Sequence, residues 1–125
     1  MILLVDDEER YREHIARVLT KAGYEVLEAG NGIEALSLLE KSQIDLVISD
    51  ILMPLLNGYA LVARLRAKWP KMPVILTTGF LPPEAAKTMM NGSVDFIPKP
   101  IDSETLLGMI QSKTAAQSQN TGTNS

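Results

Sequence analysis

The 125-residue chain has no cysteine. That excludes disulfides and any thiolate metal centre. No apolar run approaches the length of a membrane span, and the N-terminus lacks the basic-then-apolar layout of a signal peptide. The expected setting is the cytoplasm, with no membrane contact. Basic residues are not in excess: 12 Lys and Arg face 15 Asp and Glu, a formal net charge of −3. Such a balance disfavours non-specific binding to nucleic acid or to an anionic surface. Nothing after residue 113 could form a helix-turn-helix, so no direct contact with nucleic acid is expected. The single histidine, His14, lies among Arg12, Glu13 and Arg17; it reads as a surface or boundary residue without a phosphotransfer role. There is no internal repeat.

What is present fits one domain with a full hydrophobic core: 46% hydrophobic and 22% charged residues. Residues 2–6, "ILLVD", 24–29, "YEVLEA", 44–49, "IDLVIS", 73–78, "PVILTT", and 93–97, "SVDFI", read as five strands. The third is nearly continuous apolar, as a parallel strand buried on both faces would be. Between them lie helical stretches. The first, 8–22, spaces Tyr11, Ile15, Val18, Leu19 and Ala22 along one face and stops at Gly23. The second, 31–41, uses Ile33, Leu36 and Leu39; the third, 59–68, uses Leu61, Val62 and Leu65 and ends before Pro70. A fourth opens at Pro82–Pro83 and runs to about residue 91. The fifth, 102–113, has Asp102 or Ser103 as its N-cap. The remainder, 114–125, has no apolar periodicity and reads as a disordered tail or linker remnant.

Alternating strands and helices imply an α/β fold, a parallel sheet with helices on both faces and right-handed crossovers. Ligands of such sheets bind beyond the carboxyl ends of the strands. Asp6 and Asp7 end the first strand, Asp50 the third, Thr77 and Thr78 the fourth, and the fifth leads to Lys99. Glu28 and Ala29, ending the second, add little. Three carboxylates around one point call for a cation, and all-oxygen ligands favour a hard one: Mg²⁺ first, with Mn²⁺ or Ca²⁺ as alternatives. Lys99 and a threonine hydroxyl would suit a phosphoryl group beside that ion. Taken singly, Lys99 reads as a solvated lysine, Asp7 as a helix-capping acid and Phe96 as a core aromatic. Taken together they read as a site.

The pieces "DDE" at 6–8, "DILMPLLNG" at 50–58, "TG" at 78–79 and "KP" at 99–100, in that order over residues 1–113, resemble the receiver domain of bacterial two-component response regulators. The resemblance implies a flavodoxin-like, doubly wound five-stranded sheet of order 2-1-3-4-5. It implies that Asp50 accepts a phosphoryl group from a histidine kinase or phosphotransfer protein, that Asp7, Asp50 and the Leu52 backbone carbonyl ligate Mg²⁺, and that Asp6 holds the ion through water. It implies that Thr78 and Phe96 carry the change to an output partner at the face made by helix four, strand five and helix five. It also implies a cis bond before Pro100, a form that proline tolerates at about 0.5–1 kcal/mol. Such a domain is a monomer or weak dimer. It is not an enzyme beyond catalysing its own phosphorylation and slow dephosphorylation.

Some features depart from the pattern. The Thr78-to-Lys99 spacing is about one residue short, Pro82–Pro83 stiffens the entry to the fourth helix, Phe96 has no hydroxyl, and Gly108 sits inside a helix. Three further readings stand beside the stand-alone switch. One is a receiver cut from a hybrid sensor kinase or longer regulator. Another is a magnesium phosphatase, against which Leu52 stands where a second acid is needed. The third is a pseudo-receiver, against which the full set of acids, Thr78 and Lys99 speak.

Overall fold

Every residue of the first strand, β1 (Ile2–Val5), is buried. Its side chains alternate between two cores: Leu3 and Val5 point into one, Ile2 and Leu4 into the other. A strand buried on both faces must be apolar throughout, which is why "ILLV" shows no polar alternation. The computed structural model describes residues 1–79 and 94–123, with side chains through residue 114. Beyond β1 it contains α1 (Glu9–Lys21), β2 (Val26–Ala29), α2 (Gly32–Lys41), β3 (Leu46–Asp50), α3 (Gly58–Lys68), β4 (Val74–Thr78), β5 (Val94–Pro98) and α4 (Ser103–Thr123). The sheet is parallel throughout, in the order β2-β1-β3-β4-β5.

Helices cover both faces. On one, Ala35 and Leu39 of α2 and Leu61, Val62 and Leu65 of α3 pack on Val47, Val74 and Leu76. On the other, Ile15, Ala16 and Leu19 of α1 and Leu106 and Ile110 of α4 pack on Leu46, Ile48, Ile75 and Ile97. Local signals set the helix ends. Asn31, Asn57 and Asp102 each accept a hydrogen bond from a backbone N–H three residues on. Gly23, at φ +100°, lets the Tyr24 N–H return to the Leu19 carbonyl and closes α1.

Several expectations shift. β3 reaches Asp50, which pairs in register with Thr77, so the acid lies inside the ladder rather than after it. Ile33 is half-exposed and Ala22 is exposed, so neither belongs to the core. The last helix does not stop at 113 but runs to Thr123. Once a helix is nucleated each further residue adds one backbone bond, and Ala115 and Ala116 favour it even without an apolar stripe. The fourth helical stretch, with Pro82 and Pro83, lies outside the described residues, so α4 is the fifth stretch of the sequence.

Candidate functional site

Val5 is the last residue of β1, and the chain turns at once. The Asp6 Oδ1 accepts the Glu8 N–H at 2.9 Å, which fixes the aspartate at the start of α1. Asp6 is buried, whereas Asp7 faces solvent. On the neighbouring strand, Asp50 ends β3 with only 8% of its surface exposed. Carboxylate oxygens of Asp6, Asp7 and Asp50 lie within 4.8 Å of one another. Lys99 follows β5, and its backbone N–H bonds to the Thr78 carbonyl at 2.8 Å. Its ammonium reaches Asp6 Oδ2 and Asp50 Oδ2, each at 3.0 Å.

Three carboxylates against one ammonium leave two negative charges uncompensated if all are ionised. Burial pushes the Asp50 carboxyl above its usual range; Lys99 pulls it down, and the neighbouring Asp6 charge pushes it up again. Burial alone would lower Lys99, but its hydrogen bonds to Asp50 and Asp6, and their charges, more than offset that and leave it raised. The cluster is therefore short of positive charge and built of oxygen donors. A hard divalent cation fits it on both counts. The three residues that could hold one are Asp6, Asp7 and Asp50.

The loop after Asp50 is tightly constrained. The Leu52 N–H reaches Asp50 Oδ1 at 3.3 Å, while the Leu52 side chain is 66% exposed. The Gly58 N–H bonds back to the Ile51 carbonyl at 2.8 Å. A Cβ on Gly58 would sit 2.7 Å from the Asp50 carbonyl oxygen, so only glycine lets α3 start this close to the acid. Leu55, 79% exposed, takes a left-handed φ of 71°, a conformation that costs a non-glycine residue about 1–3 kcal/mol.

The two threonines separate. Thr77 Oγ1 turns back toward the Ser49 carbonyl at 3.5 Å. Thr78, also buried, ends β4 opposite Pro98. Phe96 pairs with Leu76 and packs against the core under α3, two strand residues short of the rim. The Lys99–Pro100 peptide is cis.

Sequence reasoning missed three partners. Arg12 donates to the Asp6 carbonyl at 2.7 Å and to Glu28 Oε1 at 2.9 Å, so Glu28 at the end of β2 does contribute: it braces the arginine that braces the acid pair. Tyr11 was expected only as part of an apolar helix face. Its hydroxyl accepts the Ile101 N–H at 2.8 Å, and its ring lies 4.8 Å from the Lys99 ammonium. For Tyr11 and Arg12 the available signal was position: they follow the acid pair within one turn or so of α1.

Among the described residues, no helix is long and apolar enough to cross a membrane. A family model described as the response regulator receiver domain matches residues 2–111. The chain is 32% identical over 110 residues to the response regulator protein FleR of Pseudomonas aeruginosa, covering 87% of this chain and 23% of that protein. It is 37% identical over 102 residues to the sensor histidine kinase RcsC of Escherichia coli, covering 81% and 11%. The crystal structure of the receiver domain from the hybrid histidine kinase CckA superposes with a TM-score of 0.78 at 38% identity, covering 90% of this chain and 96% of that one. The sheet order, the rim of acids and these matches agree: the chain belongs to the response regulator receiver domain family of two-component signalling.

Proposed function

We propose that this chain is a phospho-accepting switch in which Asp50 takes a phosphoryl group from a phosphohistidine. The observation that carries the reading is the Lys99 ammonium 3.0 Å from Asp50, at the one rim where Asp6 and Asp7 also converge. An Asp50 oxygen attacks phosphorus; the O–P bond forms as the N–P bond breaks, and the electron pair returns to the imidazole. Lys99 faces the charge on the transferred group, and the Leu52 N–H beside Asp50 orients the carboxylate. Mg²⁺, when bound, supplies charge neutralisation for the phosphoryl oxygens. In this reading Asp7, Asp50 and the Leu52 carbonyl would hold the ion directly and Asp6 would hold it through water. Phosphorylated Asp50 draws the Thr78 hydroxyl, which gains a charge-assisted hydrogen bond only in that state, and Phe96 then turns inward. The output partner reads a face that includes β5 and α4; the fourth helical stretch assigned to that face lies outside the described residues. Its donor is a histidine kinase or phosphotransfer protein, its setting the cytoplasm, and it catalyses no reaction beyond its own phosphorylation and slow dephosphorylation. Residues 1–113 form the receiver unit, and 114–125 lie beyond it.

The chain spans 23% of FleR and 11% of RcsC, and relatives occur both in regulators and within kinases. A receiver belonging to a hybrid kinase is therefore the second reading; it shares the site and differs only in the partner. The test is incubation with acetyl phosphate, with Mg²⁺ or with EDTA, followed by intact-mass measurement. One added phosphoryl group in Mg²⁺ alone supports the reading. No adduct in either condition indicates a pseudo-receiver, and steady turnover of the ester without an adduct indicates a phosphatase.

A further inference from the structure

We propose that Tyr11 is a positioning residue for Lys99, holding the ammonium at the rim independently of the state of Asp50. The inference rests on the phospho-acceptor reading above and adds to it.

Lysine is a compact charge on a flexible four-carbon stem, so its place must be imposed from outside. Two of the restraints on Lys99 are the carboxylates of Asp6 and Asp50, at 3.0 Å each. The Asp50 restraint disappears in its present form once that carboxylate becomes an acyl phosphate. The Tyr11 ring, 4.8 Å from the ammonium, lies within the range where an aromatic face attracts a cation. That attraction does not change when Asp50 is modified.

The same side chain also fixes the backbone. On the strand side, Lys99 is tied by its N–H to the Thr78 carbonyl at 2.8 Å. On the helix side, two residues later, the Ile101 N–H donates to the Tyr11 hydroxyl at 2.8 Å. The short segment bearing Lys99 is thus clamped at both ends, once by β4 and once by α1. Tyr11 can serve as a clamp because it is itself anchored: it packs, with Ile101, against the core formed by α1 and α4. It stands in the first turn of α1, four residues after Asp7. One structural unit, β1 and the opening of α1, therefore carries both the acid pair and the holder of the opposing lysine.

The experiment titrates wild type, Tyr11→Phe and Tyr11→Leu with beryllofluoride in the presence of Mg²⁺, and with Mg²⁺ alone. Tyr11→Leu is expected to lose about 3- to 30-fold in beryllofluoride affinity. Tyr11→Phe keeps the ring contact and loses only the hydroxyl bond to Ile101, so it should recover part of that loss. Mg²⁺ affinity should stay within about two-fold of wild type in both, because the ion is held by carboxylates and not by Lys99. The Lys99 Hε resonances should move downfield in Tyr11→Leu, as the ring current is lost, and stay put in Tyr11→Phe. Wild-type beryllofluoride affinity in Tyr11→Leu overturns the proposal. So does an equal loss of beryllofluoride and Mg²⁺ affinity in both variants, which marks general loosening of the fold. A wild type that takes no beryllofluoride overturns the phospho-acceptor reading. The Lys99 resonances still report in that case whether the ring contact exists, which keeps the two failures apart.

Discussion

Lys99 Nζ lies 3.0 Å from Asp50 Oδ2, an ion pair between side chains 49 positions apart in the sequence. It is shared: the same ammonium serves Asp6 at the same distance. One cation divided between two buried acids leaves each only partly compensated. That deficit is the basis for the electrostatic predictions below.

The ionised Asp50 should cost the fold stability when no metal is bound. Burial, and then the charge on Asp6, outweigh the help from Lys99 and leave its folded-state pKa above 3.8. Asp50→Asn should therefore be more stable than wild type in EDTA at neutral pH. The sign follows from linkage: a carboxyl with a raised folded pKa favours the folded state when protonated. The gap between the two proteins should close as pH falls through that raised value. Urea unfolding across pH checks this, and a variant less stable than wild type at neutral pH would refute it.

Lys99 gives the opposite pH window. Its folded-state pKa is raised above 10.5, so its stabilising contribution is complete below about that pH and fades as pH rises through the higher folded value. In metal-free buffer the stability difference between wild type and Lys99→Met should be constant from neutral pH up to about 10.5 and shrink only above it. A difference that shrinks from neutral pH upward would mean that Lys99 is not held as an ammonium.

Gly58 and Gly108 should respond oppositely to alanine. At Gly58 the new Cβ would lie 2.7 Å from the Asp50 carbonyl and 2.9 Å from the Ile51 Cα, both backbone atoms that cannot step aside cheaply. Gly58→Ala should cost about 2–3 kcal/mol and slow phosphorylation by displacing Asp50. At Gly108, exposed and inside α4, no atom lies within 4 Å of the added methyl. Gly108→Ala should stabilise by about 0.5–1 kcal/mol. Thermal melts of the pair, run beside an acetyl phosphate assay, separate the effects.

Thr77 and Thr78, adjacent and both buried, should separate on output. Thr77 Oγ1 is turned to the Ser49 carbonyl, so Thr77→Ala should lose about 1 kcal/mol of stability and still transmit the phosphorylation signal. Thr78→Ala should accept phosphate, because Asp50, the metal and Lys99 carry the chemistry, yet leave Phe96 unmoved. NMR of the Phe96 ring with and without beryllofluoride distinguishes them. An identical Phe96 environment in the two states of wild type would leave Phe96 as a core aromatic only.

The parallel strands were legible because double burial writes itself as uninterrupted apolar runs such as "ILLV" and "LVIS". The acid rim was legible because a carboxylate directly after such a run has nowhere to go but the sheet's edge. The braces were not. Tyr11 meets Ile101 across 90 positions, and Arg12 meets Glu28 across 16; helical periodicity assigns a face to each residue but not a partner. Leu55 was opaque for another reason: a left-handed leucine breaks the local steric preference, and only the surrounding loop imposes it. The length of α4 escaped because "TAAQSQNTGT" has no apolar periodicity to signal it.

The central claim is that Asp50 is the phospho-acceptor, and the most direct measurement locates the phosphoryl group. The protein is treated with acetyl phosphate and Mg²⁺, reduced with borohydride, digested and sequenced by tandem mass spectrometry. Reduction of an aspartyl phosphate leaves homoserine, and the account predicts homoserine at position 50 and none in a sample treated in EDTA. Homoserine at Asp6 or Asp7 instead, or a phosphoryl group retained on a hydroxyl side chain with Asp50 intact, would contradict it.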